Sequence, residues 1–207
     1  VEEIKCMSSE KEKMLNGQWF QDNEPWMVKQ RALAGNTSTI YNQTMVEEKE
    51  KRQKLLKDLL GHIGENSFIA NGVQFDYGCN IYIGDDVYIN FNVVFLDGNE
   101  IHIGDRCLIG PGVLFATPSH PLVADERSKH FNQYGAYYPE RVEKIILEED
   151  VWVGGNVTIM PGVKIGKGAI IGGGSVVTKD IPPYSLAVGN PCRVVRQITD
   201  DDRIGNS

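Results

Sequence analysis

From Ile63 onward, aliphatic or aromatic residues recur every six positions: Ile63, Ile69, Phe75 and Ile81, then Ile83, Ile89 and Phe95, then Ile103, Ile109 and Phe115. The same phase returns at Leu147 and holds through Val153, Ile159, Ile165, Ile171 and Val177. Four places after these come small or β-branched residues, among them Ser67, Val73, Cys79, Val87, Cys107, Val113, Val151, Ala169 and Ser175. Two inward positions per hexad describe short parallel strands joined by turns, three hexads to a coil, which is a parallel β-helix solenoid. Gly64, Gly84, Gly104, Gly110, Gly154, Gly166 and Gly172 follow the aliphatic position, where glycine supplies the tight backbone of a corner. Two extra residues at Ile81–Ile83, and again before Ile103, read as corner bulges that leave the core register intact.

The opening sixty residues follow a helical pattern instead. Ser9 with Glu12 forms a capping box ahead of Met14 and Leu15, and Gly17 ends that short helix. Thr44 with Glu47 repeats the signature before a helix carrying Leu55, Leu56, Leu59 and Leu60. Glu47 with Lys51, Glu48 with Arg52 and Glu50 with Lys54 stand acid before base at i,i+4, which supports that helix. Between them WFQDNEPW, residues 19–26, is an aromatic turn in which Asp22 reads as the cap of a helix starting near Pro25. The chain therefore divides into a helical segment (1–60), a solenoid (61–182) with an excursion at about 116–146, and a tail (183–207) packing on the solenoid.

Composition narrows the classes. Cys6, Cys79, Cys107 and Cys192 lie far apart with no CxxC pair, so they read as buried free thiols, Cys79 and Cys107 being on the small inward position. No apolar run approaches the roughly 20 residues that span a bilayer, and the expectation is a soluble, cytoplasmic protein without a membrane partner. The net charge of -7 argues against a nucleic-acid partner. That charge is uneven: -9 over residues 1–150 and +2 over 151–207. The basic end reads either as the field of an anionic small ligand or as solvated lysines.

The repeat breaks at ATPSHPL, residues 116–122, where His120 takes an outward position between Pro118 and Pro121. Histidine titrates near neutrality, so it is suited to general-base work, but as a lone residue it reads first as a turn residue bonded to backbone. His102 lies eighteen residues earlier, one regular coil, which would stack it on His120. With His130 from the excursion these could form a zinc set, but a third ligand is otherwise missing and no metal is expected. His62 sits at the junction of helix and solenoid.

Several longer stretches share one resemblance: SSEKEKMLNGQWF (8–20), DYGCNIYIG (76–84), INFNVVFLD (89–97), DVWVGGNVTIMPGVKIG (150–166), GGSVVTKDIPP (173–183) and GNPCRVVR (189–196). Over nearly the whole chain this resembles the maltose and galactoside O-acetyltransferases of the hexapeptide-repeat class. The resemblance implies a left-handed β-helix, acetyl-CoA as co-substrate, and a homotrimer with active sites between subunits. It implies that His120 is the base and that Asp22, Asp76, Tyr88 and Asn90 hold a sugar acceptor. The galactoside branch has an acidic residue near Gly98; glycine stands here with Asp97 beside it, so Asp97 is the candidate and the sugar stays open. Trp152, Gly155, Gly173, Thr178, Lys179, Arg193 and Arg196 match coenzyme contacts, and the 121–146 excursion would cover the acceptor site. Two alternatives remain: the same fold acting on another acceptor, such as an antibiotic or a serine-like amine, and a non-enzymatic scaffold.

Overall fold

The computed structural model describes residues 9–205, so Cys6 lies outside the described residues. Its main body is a parallel β-solenoid of about six turns, the fold class that the repeat predicts. The first face stacks His62–Ile63, Ile81–Ile83, Ile101–Ile103, Ile145–Leu147 and Lys164–Ile165. The second stacks Phe68–Ile69, Tyr88–Ile89, Leu108–Ile109, Trp152–Val153, Ile170–Ile171 and Ser185–Val188. The third stacks Gln74–Phe75, Val94–Leu96, Leu114–Ala116, Thr158–Ile159 and Val176–Val177. Equivalent hexad residues pair in register, Ile69 beside Ile89 and Phe115 beside Ile159, so like stacks on like along the axis. Phe75, Phe95 and Phe115 form one such file with ring centroids 5.8 and 4.9 Å apart. Burying each ring is worth about 1.5–3 kcal/mol, and the offset stack adds to that.

The corner glycines work differently from the expectation. Gly64, Gly84, Gly104 and Gly154 do not occupy the left-handed region; a Cβ on Gly154 would instead lie 2.6 Å from the Gly173 nitrogen of the next coil. Close stacking, not backbone freedom, excludes a side chain. The left-handed turn residue comes two places later, three after the inward aliphatic: Asn66, Asp86, Asn92, Arg106, Asp150 and Asn156, alternating with Gly72, Gly112 and Gly162. Asn and Asp tolerate that conformation and glycine adopts it freely.

Coil length also departs from the regular eighteen. Ile63 pairs with Ile83 and Ile83 with Ile103, giving 20-residue coils, before Leu147 and Ile165 return to 18. His102 therefore stacks on Tyr82, 4.8 Å between centroids, and pairs with Ile146, not with His120. Among the described residues no three His, Cys, Asp or Glu side chains are placed to hold a metal ion.

Helices α1 (Glu10–Leu15), α2 (Pro25–Asn42) and α3 (Lys49–Leu59) precede the solenoid. The Ser9–Glu12 capping box is present, and Gly17 stands at φ 66° just past α1. The Thr44–Glu47 box is not: α3 starts after Glu48, whose carboxylate accepts from the Met45 amide at 2.7 Å. Thr44 Oγ1 instead accepts from Arg52 at 2.8 Å. Arg52 turns inward rather than pairing with Glu48, and its guanidinium also reaches Tyr41 OH, Asn71 Oδ1 and the Ile69 carbonyl. The surface pairs that form are Glu48 with Lys51 and Lys54 with Asp58. Ala34, Tyr41, Leu56 and Leu59 close the main core, whereas Met14, Phe20, Met27, Tyr77 and Val142 make a second cluster. Cys79, expected in the solenoid core, packs partly buried against that second cluster; Cys107 and Cys192 are buried. Among the described residues no helix is long and apolar enough to cross a membrane.

Candidate active site

The chain leaves the third face at Ala116 and builds a small antiparallel sheet from three distant segments. Pro118–Ser119 pairs with Pro139–Val142, which pairs on its other edge with Phe20–Gln21. His120 emerges at the end of the first of these strands, exposed, with Nδ1 2.9 Å from the Pro139 carbonyl oxygen. A carbonyl only accepts, so the neutral ring carries its hydrogen on Nδ1 and leaves the Nε2 lone pair free.

Three carboxylates share this corner. Asp22 follows the strand Phe20–Gln21 and does not cap α2, whose N-cap Glu24 makes no side-chain capping bond. Asp22 Oδ1 accepts from the Tyr138 amide at 3.1 Å and its carbonyl accepts from Arg31 Nη2 at 2.7 Å. Asp76 follows Phe75 at the end of the third face; burial raises it above the usual aspartate range, Arg31 opposing and Asp22 adding. Glu140 lies on the strand Pro139–Val142 and is pushed up to about 7 by burial, with His120 opposing, Asp22 and Asp76 adding, and Arg31 opposing. Arg31 is held by Tyr77 OH, 2.6 Å from Nη1. The WFQDNEPW turn also anchors the excursion: Asn23 Nδ2 donates to Asn132 Oδ1 at 3.0 Å and to the carbonyls of Gly135 and Ala136.

Asp97 does not join them. It is fully buried, accepts from the Tyr77 amide at 2.9 Å and the Asn80 amide at 3.3 Å, and is pushed up to about 7 mainly by burial. It fastens the widened corner of the 20-residue coils and has no surface to offer an acceptor. Beside it, a Cβ on Gly98 would come 2.7 Å from Cγ1 of Val142. The excursion strand thus occupies the space a longer side chain at 98 would need.

The remaining expected residues lie on other edges of the same chain. Tyr88 is exposed on the second face in file with Leu108 and Trp152, and Asn90 marks the corner that follows. Gly155 and Gly173 stack on that corner, where a Cβ on Gly173 would stand 3.2 Å from the Gly155 carbonyl. Thr178 and Lys179 are exposed where the third face ends. Arg193 and Arg196 sit exposed on the terminal strand Arg193–Gln197; Arg196 meets both oxygens of Asp202 at 2.8 and 2.7 Å. A cleft of about 590 Å³ opens elsewhere, between α3 and the first coil, lined by Gln53, Lys57, His62 and Asp85.

Sequence reasoning passed over Arg31, Glu140 and the Pro139 carbonyl. Arg31 is one more polar residue on a helix and Glu140 belongs to no repeat phase, so neither carries a local signal.

A family model described as bacterial transferase hexapeptide (six repeats) matches residues 144–179, and one described as maltose acetyltransferase hexapeptide capping motif matches residues 13–64. A putative acetyltransferase of Staphylococcus aureus is 42% identical over 194 residues, 93% of this chain and 94% of that protein. The crystal structure of a maltose O-acetyltransferase from Clostridium difficile superposes with a TM-score of 0.85 at 39% identity, covering 93% of this chain and 99% of the other. A galactoside acetyltransferase in complex with coenzyme A gives 0.83 at 35% identity, covering 95% and 94%. With this solenoid, these capping helices and such likeness over more than nine-tenths of its length, the chain belongs to the hexapeptide-repeat acetyltransferases, in the maltose and galactoside O-acetyltransferase branch.

Proposed function

We propose that the protein transfers an acetyl group from acetyl-CoA to a sugar hydroxyl, with His120 as general base. The observation that carries this is the Nδ1 contact to the Pro139 carbonyl, which leaves Nε2 basic and pointed away from the strand it is tied to. As the acceptor oxygen bonds to the thioester carbonyl carbon, its proton passes to Nε2. The carbon–sulfur bond then breaks and the departing thiolate takes the proton back, so the products are an acetyl ester and free thiol. Nearby amide donors stabilise the negative oxygen formed on the way.

Use of acetyl-CoA is supported by the complex of the galactoside relative with coenzyme A and by the strip beside Trp152, where Gly155 and Gly173 leave main chain open to a thin ligand. Arg193 and Arg196 suit the phosphate end, with Thr178 and Lys179 on the next corner. Tyr88 and Asn90 stand on a different corner from His120, Asp22 and Asp76, which favours a trimer in which one copy brings the base and its neighbour the amide and ring. The active protein is then a cytoplasmic homotrimer; an active monomer by light scattering would sink that part.

The Val142 methyl over Gly98 favours one second reading, an acceptor other than the relatives' sugars, such as a xenobiotic or a serine-like amine. The test is thiol release from acetyl-CoA across sugars, amino alcohols and amines. Turnover with sugars that disappears in His120→Ala supports the proposal; turnover only with the others moves the acceptor class, and none overturns both.

A further inference from the structure

The antiparallel register of Pro118–Ser119 on Pro139–Val142 carries on by one residue to His120. Pro118 faces Val142 and Ser119 faces Arg141, so His120 comes opposite Glu140, and directly opposed side chains in such a sheet point to the same side. The Pro139 carbonyl that fixes His120 Nδ1 belongs to the residue immediately before Glu140. Among the described residues no group hydrogen-bonds the Glu140 carboxylate; its neighbours act on it only through charge. Those neighbours are His120 at the end of Pro118–Ser119, Asp22 beyond Phe20–Gln21, Asp76 at the end of the third face, and Arg31 from α2. Arg31 is engaged by Tyr77 OH and the Asp22 carbonyl, so His120 is the one group of this set that can become positive during the reaction.

We infer that Glu140 is a positioning residue for His120: its ionised carboxylate, held across the strand pair, stabilises the imidazolium that forms when Nε2 takes the acceptor proton. One strand therefore sets both halves of the base, the Pro139 carbonyl choosing the tautomer and the Glu140 charge favouring the protonated state. The inference rests on His120 being the base. Burial, with the negative Asp22 and Asp76 adding, holds Glu140 against early ionisation, so its help is full only above its own titration near 7 and fades as pH falls through it.

The test is steady-state kinetics of wild type, Glu140→Gln, Glu140→Asp and His120→Ala, using acetyl-CoA and the best acceptor, from about pH 5.5 to 8.5. Glu140→Gln should lower kcat about tenfold at the alkaline end with the acceptor KM unchanged, and the gap should close toward the acid end, where wild type is itself protonated. Glu140→Asp, which keeps the charge, should recover part of the loss. Thermal midpoints show that the variants are folded. A pH-independent gap, an effect on KM alone, or no effect while His120→Ala is inactive overturns the role of Glu140. Full activity of His120→Ala overturns the base reading instead.

Discussion

At the corner that carries His120, side chains arrive from four separate stretches of chain, whereas the strip beside Trp152 is made by one repeating unit with its side chains trimmed away. Asp22, Asp76, His120 and Glu140 meet because an antiparallel sheet ties residues near 20, 118 and 140 together. Gly155 and Gly173 meet because successive coils stack in register. The first construction concentrates charge in a partly buried place, and the second exposes backbone. A proton-transfer site and a groove for a long flexible arm need opposite surroundings, and one solenoid supplies both by interrupting its repeat once.

Breaking the charged corner should have the largest effect. His120→Ala is expected to lower turnover by about two to four orders of magnitude while leaving the melting temperature nearly unchanged, because the ring is exposed and makes one backbone contact. Thiol release and a thermal melt on the same sample check both halves.

The glycine strip breaks in two different ways. Gly154→Ala places a methyl 2.6 Å from the Gly173 nitrogen and should cost about 1–3 kcal/mol of stability, read by denaturant titration. A methyl at Gly173 comes no nearer than 3.2 Å, to the Gly155 carbonyl, so Gly173→Ala should fold nearly normally and lose affinity for coenzyme A. Equal destabilisation by both would mean that Gly173 is there for stacking alone.

The basic end gives a smaller, signed pair. Arg196→Ala should raise the acetyl-CoA KM about tenfold, the scale of one charge-assisted contact. Asp202→Asn, which releases Arg196 from its bidentate partner, should lower it about twofold. If both variants raise KM, the pair acts as a structural unit and not as competitors.

The smallest effect separates the corners by pH. Glu140 keeps its proton up to about 7 when folded and releases it near its ordinary 4.5 when unfolded. The protonated folded form is thus favoured: its contribution to stability is full below the unfolded value and lost as pH rises through 7. Glu140→Gln should therefore melt about 2–4 °C above wild type at alkaline pH, with the difference vanishing at acid pH.

The two regions were unequally legible in the sequence. The coils could be read because Leu147 to Val177 keeps one phase, and each inward residue is buried as its position requires. The left-handed residue three places after each was equally periodic, in Asn66, Asn92 and Asn156, but its meaning lies in turn geometry and not in hydrophobicity. His120 could be placed outward by counting, although its bond to Pro139 crosses nineteen residues without a pattern. Asp97 and Asp76 illustrate the limit: both follow an inward aromatic run, yet one is sealed under backbone amides and the other stays near the site. What separates them is one place in the coil: Phe75 pairs with Phe95, so Asp76 stands one step past the inward ring, whereas Asp97 stands two steps past it, at the corner where it accepts from the Tyr77 and Asn80 amides.

The terminal strand Arg193–Gln197 carries a consequence beyond ligand binding. It turns back antiparallel along Ser185–Val188, so the second face ends on a strand running against all those below it. A stack of identical parallel coils is a template onto which another molecule's first coil could add end to end. By reversing direction on its last face, while α2 and α3 cover the opposite end, the chain withdraws that template and keeps a self-repeating shape from becoming a fibre.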